Sequence, residues 1–87
     1  MTPKQIELAR HALGLSGDTK VSYRRHFVTG PDTVDYPHWI EMVASGDARR
    51  RDGTALTGGD DLFLLTRKGA EAALKPGERL SERDFPL

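Results

Sequence analysis

The chain contains no cysteine, so disulfide staples and thiolate-held zinc are excluded outright. It also has no long apolar run. Nothing approaches the roughly 18 consecutive apolar residues that a membrane-spanning helix requires. The first residues carry no apolar core of a secretory leader, which makes the cytoplasm the expected compartment. Aromatic residues are few: Tyr23, Phe27, Tyr36, Trp39, Phe63 and Phe85. In a chain of 87 residues the core must be thin, and most of these six are expected to hold it together. An excess of one charge sign is missing too. Thirteen basic residues balance thirteen acidic ones, so the bulk charge does not argue for nucleic acid. The balance is uneven along the chain, with five basic and two acidic residues in 1–30 against eight and eleven in 31–87.

What is present reads as one small domain. Thr2, Pro3 and Gln5 form the start signature of a helix: a cap, a proline that loses no hydrogen bond, and a capping-box partner. Ile6, Ala9 and Leu13 recur at helical spacing, and Gly14 supplies a left-handed stop. A second helix is expected from about Tyr36 to Ser45, capped by Asp35, with Trp39, Ile40, Met42 and Val43 on its apolar face. Leu62–Leu65 is an apolar run of strand length, and Ala48–Arg50 is its expected partner across a polar, glycine-rich loop. Thr66 then caps a third helix from Arg67 to about Leu74, ended by Lys75-Pro76-Gly77. Residues 16–35 are ambiguous. Val21, Tyr23 and Phe27 fit either an irregular strand or a short helical turn, with Tyr23 to Val28 packing on the core.

The expected fold is therefore α+β, three helices with a two-stranded antiparallel ribbon. Residues 1–75 make the domain, and 76–87 form a charged tail that can dock through Phe85. Ile6, Leu13, Trp39, Val43, Leu65 and Leu74 are the expected core.

Two resemblances add to this. Residues 39–74 resemble the second half of a winged-helix domain. The stretch Trp39-Ile40-Glu41-Met42-Val43-Ala44-Ser45-Gly46 is similar to the end of a recognition helix. The polar loop is similar to a wing, and Leu65-Thr66-Arg67-Lys68-Gly69 to the entry of the following helix. This implies a small winged-helix-like domain and, with it, a possible DNA-binding role. The outward residues of helix two, Pro37, His38, Glu41 and Ser45, depart from that role. A groove-reading helix brings Arg, Lys, Asn or Gln to the bases. The helix that would complete a helix-turn-helix is not evident either.

The whole chain also resembles a group of small phage and prophage proteins, through Arg10-His11-Ala12-Leu13-Gly14-Leu15, Tyr23-Arg24-Arg25-His26-Phe27-Val28-Thr29-Gly30 and Leu56-Thr57-Gly58-Gly59-Asp60-Asp61-Leu62-Phe63. That resemblance implies a phage origin, and so the cytoplasm of a host cell.

Two basic clusters are the candidate binding residues. Tyr23, Arg24, Arg25 and His26 can contact phosphates and stack on a base, or can simply anchor their segment to the core. Arg49, Arg50 and Arg51 lie just before the loop and suit either a phosphate backbone or the rim of a protein interface. Asp47, Asp52, Asp60 and Asp61 surround them and can neutralise them. His11, His26 and His38 have no ligand spacing, and Gly58-Gly59-Asp60-Asp61 lacks the ligand pattern of a calcium loop. No nucleophile sits on a marked turn. No metal, cofactor or catalytic set is expected. The leading expectation is a non-enzymatic accessory protein that binds a host or phage protein. A small DNA-binding regulator is the alternative. A minor virion component is a further one, and self-association is compatible with each.

Overall fold

Helix α1 spans Pro3–Leu13. Thr2 accepts from the Gln5 amide, and the Gln5 side chain accepts from the Thr2 amide, closing the capping box. Gly14 ends the helix in the left-handed conformation at φ 78°. A side chain there would also run into the Tyr23 ring, which lies across the glycine. The structure is a computed structural model and describes every residue except Ser16 and Leu87.

The ambiguous segment resolves into an extended stretch that ends in strand β1, His26–Thr29. Helix α2 covers Tyr36–Ala44 and strand β2 covers Ala48–Arg51. A short 3-10 turn, Ala55–Thr57, sits in the following loop. Strand β3, Asp61–Leu65, leads through Thr66 into helix α3, Arg67–Ala72. The Thr66 hydroxyl accepts from the Gly69 amide, as a cap should. Asp35 does not cap α2 with its side chain. Its carboxylate instead lies 3.7 Å from Lys4 Nζ.

The domain is thus a small α+β fold with three helices, but the expected two-stranded ribbon is a three-stranded antiparallel sheet. The order is β1-β3-β2, so β3 is central. Phe27 lies opposite Phe63 and Val28 opposite Leu62 on one side of β3. Arg49 lies opposite Leu64 and Arg51 opposite Leu62 on the other. In the unbroken Leu-Phe-Leu-Leu run, Phe63 and Leu65 are buried on one face, and Leu62 and Leu64 are half-buried on the other, flanked there by side chains of both neighbouring strands.

The helices cover one face of the sheet. Phe63 and Leu65 point into them and are fully buried. Trp39 is stacked between Phe27, at 5.2 Å between ring centres, and Phe63, at 5.6 Å. Met42, Leu8, Ala9, Ala12, Leu13, Ala70 and Ala73 close the layer around that stack. Of the expected core, Leu13, Trp39 and Leu65 are buried, while Ile6, Val43 and Leu74 only pack on its margin. Small alanines let the short helices approach closely, which pushes the larger side chains outward.

The C-terminal segment is pinned to the domain at several points. Residues Val21 and Arg79 form a parallel bridge. The Ser81 amide donates to the Ser22 hydroxyl at 2.8 Å. Phe85 is buried, with the Arg25 guanidinium 4.8 Å and that of Arg67 5.9 Å from its ring centre.

Candidate functional site: the open face of the sheet

Alternation along the strands sorts the two basic clusters. On the helix side of the sheet lie Thr29, Phe27, Asp61, Phe63, Leu65, Ala48 and Arg50. On the other side the register lines up two cross-strand rows. One is His26–Leu64–Arg49 and the next is Val28–Leu62–Arg51. His26, Val28, Arg49 and Arg51 are exposed, and Leu62 and Leu64 are half-buried. No described element packs over this face.

Arg49 and Arg51 make no ion pair and no side-chain hydrogen bond among the described residues. Arg50 does the opposite. Its Nε donates to Asp61 Oδ2 at 2.7 Å, and the Tyr36 hydroxyl donates to the same oxygen at 2.6 Å. Asp61 Oδ1 accepts from the Gly53 amide at 3.0 Å. The Tyr36 and Arg50 bonds hold the Asp61 carboxyl below its usual range. The same carboxylate raises the Tyr36 hydroxyl, with burial adding to it, and raises Arg50. Arg50 is a clamp between β2, β3, α2 and the loop rather than part of an open surface.

The other cluster also divides. Arg25 is structural. It donates to the carbonyls of Leu65 at 2.8 Å and Asp84 at 2.9 Å while stacking on Phe85. Arg24 donates to the His11 carbonyl through Nη2 at 2.7 Å, which neutralises the C-terminal end of α1. Tyr23 is 63 % exposed and does not anchor to the core as expected; it lies over Gly14. Only His26 of this cluster joins the open face. The structure therefore brings together His26, Arg49 and Arg51 and sets Tyr23, Arg24, Arg25 and Arg50 apart from them.

Three residues of the face, Val28, Leu62 and Leu64, were not among the sequence-derived candidates. Leu62 and Leu64 were signalled by an apolar run that does not alternate, and Val28 lies outside that run. Apart from the face, the β2–β3 loop exposes one large apolar group. Leu56 is 99 % exposed at its tip, on a turn fixed by reciprocal Thr54 and Thr57 bonds. Among the described residues no group of three acidic or histidine side chains could hold a metal ion, and no helix is long and apolar enough to cross a membrane.

No protein-family model, no curated protein and no solved structure matches the chain.

Proposed function

We propose that the chain is a non-catalytic binding module whose open sheet face takes a protein partner. The observation that carries this is the pair of rows His26–Leu64–Arg49 and Val28–Leu62–Arg51. Aliphatic groups in the middle with arginine at the margin are the composition of a protein interface. Two cations without partners among the described residues steer and select an acidic partner surface. If the sequence resemblance to phage and prophage proteins, which spans nearly the full length, is followed, that partner is a host or phage protein.

The winged-helix-like arrangement finds support in the strand order and in the hairpin that follows α2. The features that would make it read DNA are missing among the described residues. A single helix lies between β1 and β2. Glu41 of α2 accepts a hydrogen bond from Gln5 Nε2 at 3.1 Å, and Pro37 is exposed beside it. The loop from Asp52 to Asp60 contains no lysine or arginine and has an aspartate at each end. Duplex binding draws much of its affinity from neutralised phosphates, and this surface offers too few cations for it. Single-stranded nucleic acid would want several aromatic platforms, and the face offers a single ring, the His26 imidazole.

The test is a photo-crosslinking residue placed at Leu64, with a second placed at Ala72 on the exposed side of α3. A discrete protein adduct from position 64 alone, resistant to nuclease and lost in Arg49→Glu/Arg51→Glu, is the expected result. Nuclease-sensitive adducts, or equal labelling from both positions, would overturn the proposal.

A further inference from the structure

We infer that the free edge of β1 is a strand-addition site for an extended acidic peptide segment of the partner. The inference rests on the reading of the sheet as a protein-binding surface and says how the partner is held.

The geometry begins with the register. The Leu65 amide donates to the Arg25 carbonyl at 2.9 Å, which makes Arg25 and Leu65 a hydrogen-bonded pair. In an antiparallel ladder such pairs alternate. Phe27 and Thr29 therefore turn their main-chain groups toward β3, and His26 and Val28 turn theirs outward. Neither outward set has a partner among the described residues. An unsatisfied edge of this kind is a template for another strand unless it is blocked. Here it carries no proline, lysine or bulge between His26 and Thr29.

The surroundings suit the alternating side chains of an added strand. A recess of about 300 Å³ borders the edge, lined by Phe27 from the helix side and by His26 and Val28 from the open side, with His11 and Arg24 at its end. A larger open cleft of about 620 Å³, which shares His11 and Phe27 with the recess, runs along α1 over Ile6 and Leu15 and carries Glu7 and Asp35 as well as basic groups, so the apolar side chains of an added strand suit it. A strand laid on β1 would drop every second side chain toward this cleft and turn the others onto the open face. The charge near the edge selects the occupant. Arg24, His11 and His26 line the recess with no acid among them. Arg49 and Arg51 lie across the open face. A carboxylate on the added strand would meet Arg24 in the recess, and Arg49 and Arg51, three strands away across the open face, add a longer-range positive field. A second copy of β1, His26–Thr29, brings no carboxylate to this recess, so self-pairing gains nothing from the charge that favours an acidic strand.

The probe is a short capped peptide alternating valine and glutamate, titrated into the full chain while amide hydrogen exchange is followed by NMR. Controls are the valine–lysine counterpart and the acidic peptide N-methylated on alternate amides. The expected result is slowed exchange at His26 and Val28 with the acidic peptide only. Val28→Pro removes an outward N–H without touching the β1–β3 bonds, and should weaken binding about tenfold. The N-methylated peptide tests the same bonds on the unaltered chain, so the inference stays exposed to failure even if the proline variant does not fold. Equal binding of the lysine or N-methylated peptide, absence of peptide binding, or protection that grows with protein concentration alone would each overturn it. Those outcomes leave the open-face proposal standing as long as Arg49→Glu/Arg51→Glu still abolishes the crosslinked adduct.

Discussion

Arg10 and Glu78 lie 68 residues apart in the chain and form a two-pronged ion pair, with Arg10 Nη2 2.7 Å from Glu78 Oε2. Arg10 also donates to the Ala73 carbonyl at 2.9 Å, so one side chain fastens α1 to the end of α3 and to the C-terminal segment. The Glu78 side chain is 4 % exposed. The bond from Arg10, helped by the Lys75 amide, lowers its carboxyl from 4.5 to about 2.

The sign of the pH effect follows. A carboxyl with a depressed folded-state value stabilises the fold above its unfolded value, and that contribution fades as the pH falls through the folded one. For Glu78 the window runs from 4.5 down to about 2. Urea unfolding at neutral pH and at pH steps across that window should show wild type losing more stability than Glu78→Gln. The variant should start lower and fall less. Parallel curves for the two proteins would show that the pair contributes nothing to acid sensitivity.

Trp39 is fully buried in the stack with Phe27 and Phe63, and its indole N–H has no partner among the described residues. Trp39→Ala should cost about 3–5 kcal/mol, which is much of the stability of a domain this small. Trp39→Phe keeps a ring in the stack and removes the unpaired donor, so it should cost clearly less. Denaturant titration of both variants checks the ordering, and a similar loss in each would contradict the stacking account.

Gly69 lies inside α3, where alanine normally gains about 1 kcal/mol over glycine. Here an added methyl would collide with the main-chain carbonyl of Asp47, so α3 packs on the turn between α2 and β2 through a bare backbone. Gly69→Ala should therefore lower the thermal midpoint. A rise would mean that α3 can shift away without loss.

Three consecutive arginines should respond differently to the same change. Arg49→Ala and Arg51→Ala remove exposed side chains that have no partner among the described residues and should stay within about 0.5 kcal/mol of wild type. Arg50→Ala strips the carboxylate of Asp61 of its cation and loosens the hold on Tyr36 and Gly53, so its unfolding midpoint should drop. Chemical unfolding of the three single variants distinguishes them, and equal effects at 49, 50 and 51 would refute the strand assignment of this segment.

The sequence by itself determined the parts whose causes are local. The Thr2–Gln5 box and Gly14 bound α1, the Thr66 cap starts α3, and the glycine-rich loop marks the β2–β3 hairpin. Each of these rests on contacts between residues close in the chain, so the residues alone carry the signal. Tertiary structure alone decided the rest. His26–Thr29 becomes a strand because β3, more than 30 residues later, offers a hydrogen-bonding edge and Trp39 offers Phe27 a ring. Nothing within the four-residue segment fixes that outcome. The same holds for the candidate site. Read along the chain, Arg24 and Arg25 look alike, and so do Arg49, Arg50 and Arg51. A strand turns neighbouring side chains to opposite faces, and the helices cover only one face. Arg50 and Arg25 are thereby drawn into the fold, while Arg49 and Arg51 stay on its surface.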